Sequence, residues 1–307
     1  MKILFATYKT VPFVLMVLLN ESTATYMVHF DLCIKNTTGR CTEINVESPP
    51  YLPNNVPIVF LIHGWTSDGS ASWYDSTIDA LWQTNDQYHF IKVDWSIRSK
   101  TIYITAQSAV DEAGIIIANF IVKLNNTYSV PFENILEIGF SLGAQVAGFA
   151  GKEVQKLTEK KISRIVALDP AGPLFDGRPK EEMLNPNDAE NVVVIHTNGG
   201  FAGYVDDAGT IDIFPNGGSS QPGCTVALLR NILKLSETIG CSHSRSYKLF
   251  VEALLHPDKF QAKKCYNWIV YLISEDLCED ETVTLGDLTT TATGKYYLKT
   301  EDEPPYY

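Results

Sequence analysis

The sequence predicts an α/β protein, in which a mostly parallel sheet is covered by helices on both faces. From about residue 57 onward, short apolar runs alternate with longer segments of helical spacing, and this alternation is typical of a parallel sheet. Buried strands are predicted at residues 57–62, 90–95, 135–138, 162–168 and 192–195, and helices at residues 105–124 and 143–157. Neither repeats nor glycine-serine linkers interrupt the pattern, so we expect one domain over about residues 25–307.

The first 24 residues are predicted to be a signal peptide. Lys2 and Lys9 precede an apolar run at residues 11–19, which is too short to span a bilayer. Ser22-Thr23-Ala24 then offers a small-residue cleavage site, so a mature chain would begin near Thr25. A short N-terminal anchor is the alternative, although no stop-transfer pattern follows. The protein is therefore expected to be secreted and extracellular.

The charge of the chain restricts its partners. The net charge is −12, whereas nucleic acids and anionic membrane surfaces attract basic proteins. We therefore expect no nucleic-acid partner, and any contact with lipid should rest on apolar surface.

Six cysteines agree with export, because disulfides persist outside the cell. Adjacent pairing is expected since short loops close most easily, which joins Cys33 to Cys41, Cys224 to Cys241, and Cys265 to Cys278. A metal site competes with this interpretation, but no Cys-x-x-Cys or Cys/His cluster supports one. Sequons at Asn36 and Asn125 are candidate glycosylation sites in expected surface loops.

Ser141 is the predicted nucleophile. It is the centre of Gly139-Phe140-Ser141-Leu142-Gly143, between a buried strand and a helix of small residues, which is the context of a nucleophile elbow. The glycines matter because side chains at their positions would crowd a tight turn. The turn lifts the hydroxyl to the sheet edge and leaves the N–H of Leu142 free to bind an oxyanion.

His243 is the predicted general base among six histidines. It follows the serine, in an expected loop anchored by Cys241 and just ahead of a helix with an apolar face. His63 precedes the serine and suits an oxyanion loop better. His196 ends a strand and is expected in the core or behind the site.

Asp169 is the predicted acid that orients the base. It follows the strand at residues 162–168 and begins Asp169-Pro170-Ala171-Gly172-Pro173, a loop at the strand end where doubly wound sheets place their sites. The rivals lie in loops or in contexts that look exposed: Asp176, Asp188, Asp206, Asp207 and Asp212. A turn or helix-capping role is the alternative for Asp169.

These motifs resemble the animal pancreatic lipase family, and within it the insect lipases and venom phospholipases A1. The matching stretches run in the family's order through nearly all of the mature chain: residues 60–65, 93–95, 138–144, 167–173, 214–218 and 241–245. The resemblance implies an α/β-hydrolase fold, the triad of Ser141, Asp169 and His243, and an oxyanion hole formed by the N–H groups of Trp65 and Leu142.

Two departures from the family pattern limit what the resemblance implies. The chain stops soon after residues 294–298, so the C-terminal β-sandwich domain of the vertebrate lipases is expected to be missing, and no colipase partner is expected. The family's calcium-binding stretch is only partly kept, because Asp188 matches a ligand while Asn185 replaces an acid and Met183 replaces a basic residue. No cofactor is expected to be required, and a structural calcium is left open.

The segment between Cys224 and Cys241 matches the family's lid and has an amphipathic pattern. Its apolar residues are Val226, Leu228, Leu229, Ile232, Leu233 and Leu235. Such a helix can cover an apolar cleft in water and turn to a lipid surface, although an ordinary surface helix is the alternative. The expected partner is therefore a lipid substrate at a membrane, micelle or droplet surface.

The expected activity is hydrolysis of acyl esters in glycerolipids. The lid is intermediate in length, and the loop at residues 197–209 looks short, as in the phospholipases A1 of the family. We therefore favour phospholipase A1, with a triacylglycerol or galactolipid lipase as the alternative. A non-catalytic lipid carrier or yolk-type protein on the same fold is the alternative of another class.

Overall fold

The computed structural model describes residues 27–35, 40–84, 87–224 and 233–307, with residues 233–239 described by their backbone. The predicted signal peptide lies outside the described residues, as do Asn36 and the lid residues Val226, Leu228, Leu229 and Ile232. Within the described residues, no helix has the length and hydropathy needed to cross a bilayer.

The described strands form one eleven-stranded sheet. In chain order they are β1 His29–Cys33, β2 Cys41–Glu43, β3 Ile58–Ile62, β4 His89–Asp94, β5 Ile135–Phe140, β6 Arg164–Leu168, β7 Asn191–Ile195, β8 Ile211–Pro215, β9 Gln261–Lys264, β10 Thr282–Thr284 and β11 Gly294–Leu298. Their spatial order is β10-β9-β11-β8-β7-β6-β5-β3-β4-β1-β2.

The centre of this sheet is parallel and its two edges are antiparallel. Strands β4, β3, β5, β6, β7, β8 and β11 run in parallel. The antiparallel pair of β1 and β2 closes one edge, and the antiparallel pair of β9 and β10 closes the other. The predicted fold class is thus confirmed, and the five predicted strands appear as β3 to β7.

Helices flank the sheet: α1 Ser72–Thr84, α2 Ser96–Ser99, α3 Tyr103–Gln107, α4 Val110–Tyr128, α5 Leu142–Thr158, α6 Leu233–Leu255 and α7 Trp268–Ile273. Four short 3-10 turns complete the described elements: Phe132–Asn134, Lys180–Glu182, Pro257–Lys259 and Glu275–Leu277.

The two faces of the sheet carry separate cores because strand side chains alternate. On β3, Phe60 joins a core built with α4 and α5, whereas Leu61 joins a core built with α1 and α6. Every residue of β3 is buried. Burial on both faces explains why the central strands are continuous apolar runs in the sequence.

Two details correct the sequence-based expectations. The predicted helix over residues 105–124 is two helices, because Ser108 turns its hydroxyl onto the carbonyl of Thr105 and the chain leaves helical geometry at Ala109. Asn125 lies in the last turn of α4 and not in a loop. Its side-chain nitrogen, which would carry a glycan, donates to the carbonyl of Val130 at 2.8 Å.

The disulfides pair as expected from their spacing. The bonds are Cys33–Cys41, Cys224–Cys241 and Cys265–Cys278, and no described cysteine is free. The first joins the two strands of an edge hairpin, and the second ties the chain at residue 224 to α6.

Candidate active site

Ser141 occupies a tight turn between β5 and α5. Its backbone angles are φ 58° and ψ −123°, a conformation that costs a residue with a side chain on the order of 1–3 kcal/mol. The surroundings leave no room for side chains at two neighbouring glycines. A Cβ on Gly143 would lie 2.1 Å from the carbonyl oxygen of Ile62, and one on Gly64 would lie 2.8 Å from the Cβ of Ser141. The predicted elbow is therefore present at the carboxyl edge of the sheet.

Asp169 follows β6 at the same edge and is fully buried. One carboxylate oxygen, Oδ1, accepts the backbone N–H groups of Thr197 at 2.7 Å and Asn198 at 2.9 Å. The other oxygen, Oδ2, lies 2.5 Å from Nδ1 of His243. A Cβ on Gly203 would come within 2.5 Å of this carboxylate, so the loop after β7 packs directly against it.

His243 faces Asp169 with little exposure, since 14% of its side chain is accessible and none of the Asp169 side chain is. Its ring also lies against Phe140, the residue before the serine, with ring centroids 4.6 Å apart. An N–H at Nδ1 that donates to the buried carboxylate leaves Nε2 without a proton. The structure thus brings an imidazole with a fixed tautomer to the edge that carries Ser141.

The expectation that His243 lies in a loop is wrong, because this residue lies inside α6. The apolar spacing at Tyr247, Phe250 and Leu254 is only the later half of a helix that begins at Leu233. Its earlier half includes Gly240 and Cys241, which carry no helical signal of their own. Leu233 and Leu235 were expected in a separate lid helix, but the chain at both residues is part of α6.

The two predicted oxyanion donors lie at element ends beside Ser141. Leu142 is the first residue of α5, and an N–H at that position has no acceptor within its own helix. Trp65 follows Gly64, which touches the Ser141 side chain, and its indole N–H donates to the carbonyl of Thr101 at 2.8 Å. That bond fixes the loop from which its backbone N–H projects.

His63 supports this loop and does not pair with an acid of the triad. It is fully buried, with Nδ1 2.9 Å from the carbonyl of Gly64 and Nε2 accepting the N–H of Trp95 at 3.2 Å. The indole N–H of Trp95 donates back to the carbonyl of His63 at 2.8 Å. This exchange holds the chain that leads into Trp65.

A second buried histidine-carboxylate pair lies behind the site. His196 Nε2 is 2.8 Å from Oδ1 of Asp212, which also accepts the N–H groups of Ala208 and Gly209. The imidazole is stacked on Phe214 with ring centroids 4.4 Å apart. The expectation that Asp212 lies in a loop or an exposed context is therefore wrong. The pair is buried beside strands β7 and β8, and it holds the loop at residues 197–209.

Of the other rival acids, Asp176, Asp206 and Asp207 are exposed as expected, whereas Asp188 is buried. Asp188 belongs to the stretch that the family resemblance marks for calcium. Nζ of Lys152 lies 2.6 Å from its Oδ2 and 2.6 Å from the carbonyl oxygen of Met183. The side-chain nitrogen of Asn185 donates to the carbonyl of Lys180. Two donors thus point at oxygens that a metal ion would need, so the stretch does not fit calcium.

Gln145 is a residue that sequence reasoning missed. It is fully buried on α5, where its Nε2 donates to the carbonyl of Ala171 at 2.9 Å and its Oε1 accepts the N–H of Leu184 at 2.8 Å. The N–H of Ala171 in turn donates to the carbonyl of Ser141. A polar residue one turn after the serine, in a helix of small apolar residues, was the signal available in the sequence.

The described ends of the lid segment are firmly held. The Cys224–Cys241 bond lies two residues before His243. The guanidinium of Arg245 donates to the carbonyl of Pro222 at 2.9 Å and lies over the ring of Tyr306 at 4.2 Å. The base of the segment is therefore fixed next to the histidine.

The sheet order and the strand-serine-helix turn define an α/β-hydrolase fold. The chain belongs to the Lipase family, whose family model matches residues 36–306.

Individual relatives are similar over most of the chain. Lipoprotein lipase of Gallus gallus is 34% identical over 265 residues, which cover 80% of this chain and 53% of that protein. Lipoprotein lipase of Homo sapiens is 32% identical over 265 residues, which cover 80% of this chain and 55% of that protein. The chain spans about half the length of these relatives. The solved structure of esterase PE8 is 17% identical, with a TM-score of 0.35 over 48% of this chain and 73% of that one.

Proposed function

We propose that the protein is a serine hydrolase that cleaves acyl esters of glycerolipids, with phospholipids as the preferred substrates and release of the sn-1 acyl chain. The observation that carries the proposal is the hydrogen bond between Nδ1 of His243 and the buried carboxylate of Asp169, at the edge where Ser141 occupies a strained turn. Family membership supports lipid as the substrate class.

The proposed reaction is acyl transfer through the serine. Oγ of Ser141 attacks the ester carbonyl carbon while Nε2 of His243 takes its proton. The tetrahedral intermediate then collapses, the carbon–oxygen bond to glycerol breaks, and His243 returns the proton to the leaving alcohol. Water attacks the acyl-enzyme by the same route and releases the fatty acid. Asp169 holds the imidazole tautomer and stabilises the imidazolium in both halves.

The oxyanion formed in each half is assigned to the N–H groups of Trp65 and Leu142. Backbone donors do not reorganise during the reaction, and each is worth about 10²–10³ in rate. The packing of Gly64 against Ser141 supports the assignment, because it brings the Trp65 loop to the nucleophile.

The preference for phospholipid rests on the loop after β7. This loop folds back onto the catalytic edge, since the N–H of Tyr204 donates to the carbonyl of Pro170 at 2.7 Å and Gly203 packs on Asp169. We infer that a short loop held down in this way leaves space for a polar headgroup. Triacylglycerol hydrolysis is the second candidate, because the two relatives above are lipoprotein lipases.

The test is fatty-acid release by the purified mature protein from phosphatidylcholine and from triolein, side by side. Ser141→Ala removes the nucleophile, and Ser108→Ala is a matched control, because Ser108 is exposed on the α3–α4 connection. Phosphatidylcholine labelled in the sn-1 chain reports the position of cleavage.

Release of the sn-1 label, lost in S141A and kept in S108A, is the expected result. Release mainly from triolein would instead favour the triacylglycerol lipase. Failure of both substrates, or activity in S141A equal to that of the parent, would overturn the triad and favour the non-catalytic lipid carrier.

We further propose that the protein is secreted and works at a lipid surface. Three disulfides within the described residues support export. Mass spectrometry of protein collected from the medium is expected to find an N-terminus near Thr25.

A further inference from the structure

Lys152 on α5 makes an unusual set of contacts for a helical lysine. Its Nζ lies 2.6 Å from the carboxylate of Asp188 and 2.6 Å from the carbonyl oxygen of Met183. The side chain of Lys152 is 23% exposed and that of Asp188 is 2% exposed. The ammonium is therefore largely withdrawn from water and bound by oxygens of one loop, residues 183–188.

The helix is shaped to receive this loop. A Cβ on Gly151 would lie 2.1 Å from the carbonyl oxygen of Asp188, and one on Gly148 would lie 2.9 Å from its carboxylate. Gly148 lies one turn before Lys152 and Gly151 lies one residue before it. Because neither has a side chain, the loop can lie directly on the helix backbone. Lys152 reaches over the loop from the next turn.

A cation at this contact offsets the cost of burying a carboxylate. A buried carboxylate without a counter-charge costs several kcal/mol, and Asp188 is nearly inaccessible to solvent. Its Oδ2 also accepts the backbone N–H of Asn185 at 2.9 Å. A carboxylate, a backbone carbonyl and a tight loop are the hard oxygen environment in which proteins hold calcium, yet here an ammonium contacts the oxygens.

We propose that the ammonium of Lys152 is the resident cation of the loop at residues 183–188, so that this chain holds the loop without the divalent ion that the family resemblance places there. The same oxygens then become a calcium site only when the ammonium is removed.

The loop held in this way is connected to the candidate active site. The N–H of Leu184 donates to Gln145, and Gln145 donates to the carbonyl of Ala171 in the loop that carries Asp169. The N–H of Ala171 donates to the carbonyl of Ser141. A continuous chain of hydrogen bonds thus joins the loop at residues 183–188 to Ser141.

The experiment compares thermal unfolding of three proteins in EDTA and in millimolar calcium chloride. The parent keeps Lys152 and Asp188. Lys152→Met removes the ammonium but keeps most of the side-chain volume. The double variant Lys152→Met with Asp188→Asn removes both charges and leaves no buried anion.

The unfolding temperature of the parent is expected to be the same in both solutions. K152M should unfold several degrees lower in EDTA and recover part of that loss in calcium chloride. The double variant should unfold above K152M in EDTA and show no response to calcium. If K152M fails to fold while the double variant folds, the need for a counter-cation at Asp188 is shown directly.

Three results would overturn the proposal. A parent stabilised by calcium would mean that a metal ion binds beside Lys152. A K152M protein that is destabilised but not rescued by calcium would reduce the contact to an ordinary ion pair. A double variant as unstable as K152M, or equally unable to fold, would show that Lys152 does not stabilise the protein by balancing the charge of Asp188.

Discussion

Asp169 orients His243 in the candidate site, because each of its carboxylate oxygens has its own hydrogen-bond partners. Oδ1 accepts two backbone N–H groups, and Oδ2 accepts the N–H at Nδ1 of His243. Because Oδ1 is occupied by backbone N–H groups, Oδ2 is the oxygen that faces the imidazole. The tautomer of His243 is therefore a consequence of the loop at Thr197 and Asn198.

Asp169→Asn should keep the fold and lose the tautomer. The asparagine oxygen can still accept from Thr197 and Asn198, so its NH₂ group must turn towards His243. Nδ1 must then accept, and the proton moves to Nε2, where it blocks transfer from Ser141. We expect kcat to fall by about 10⁴ with little change in KM, measured by steady-state hydrolysis of a soluble ester.

Asp206→Asn is the control for this substitution, because Asp206 is an exposed acid of the neighbouring loop. Equal activity of D169N and D206N would show that His243 does not depend on Asp169.

Glu137 illustrates a buried acid with no role in the proposed chemistry. It is fully buried on β5 between Phe60 and Ile165, and neither carboxyl oxygen has a hydrogen-bond partner among the described residues. Burial first, and the charge of Asp188 second, raise the pKa of Glu137 well above its ordinary value of 4.5. The folded protein therefore holds a proton there that the unfolded chain releases.

This proton makes the stability depend on pH in a defined direction. A raised folded-state pKa means that the contribution of Glu137 is fully present below about pH 4.5 and is lost as pH rises towards the folded-state pKa, by up to about 1.4 kcal/mol per pH unit. Glu137→Met removes the titration. Urea unfolding at several pH values should show E137M gaining on the parent as pH rises from 4.5, and a constant difference would contradict the assignment.

At the scale of elements, the loop after β7 packs against Asp169 and limits where its carboxylate can lie. Gly203 forms isolated bridges to Ala171 and Gly199 and leaves space only for hydrogen at its Cα, against the carboxylate of Asp169. The loop is fixed from behind by the His196–Asp212 pair. The acid is thus positioned by packing as well as by hydrogen bonds.

Gly203→Ala should displace Asp169, because the added Cβ would fall 2.5 Å from Oδ1. A shift of the order of 1 Å in a catalytic group costs about 10²-fold in rate. We expect that loss in kcat, measured with the same soluble ester, with a smaller effect on the unfolding temperature. Gly240→Ala is the matched control, since a Cβ there meets nothing within 4 Å among the described residues. Equal activity of the two variants would show that Gly203 does not position Asp169.

Elements also show where sequence reasoning succeeds and fails. The central strands were predictable because burial on both faces leaves uninterrupted apolar runs, as in β3. Strand β8 was missed because Asp212 interrupts its run, and only the tertiary contact with His196 makes that charge acceptable. The helix through His243 was missed because the sequence predicts a separate lid helix before Cys241 and a loop around His243, whereas one helix runs through both.

For the whole molecule, the order of motifs along the chain was enough to predict the fold class and the edge at which the candidate site lies. The residues of the triad follow separate strands or lie on a helix, and their mutual distances depend on sheet order, which the sequence does not state. Lys152 and Gln145 could not be predicted as contacts of the loop at residues 183–188 for the same reason. A lysine or glutamine on a helix is usually solvated, and only packing reveals the exceptions.

The antiparallel strand pairs at the two edges of the sheet bear on a different property, the resistance of the protein to self-association. A parallel sheet of this width would expose unpaired backbone N–H and carbonyl groups at its edges, which can recruit strands of other molecules. The outermost strands here are only three residues long, Cys41–Glu43 and Thr282–Thr284. The Cys33–Cys41 bond also ties the first of them to its neighbour. Short outer strands and this disulfide limit the backbone that each edge offers for pairing, and we expect reduction of the Cys33–Cys41 bond to increase self-association, measured by light scattering with and without reductant.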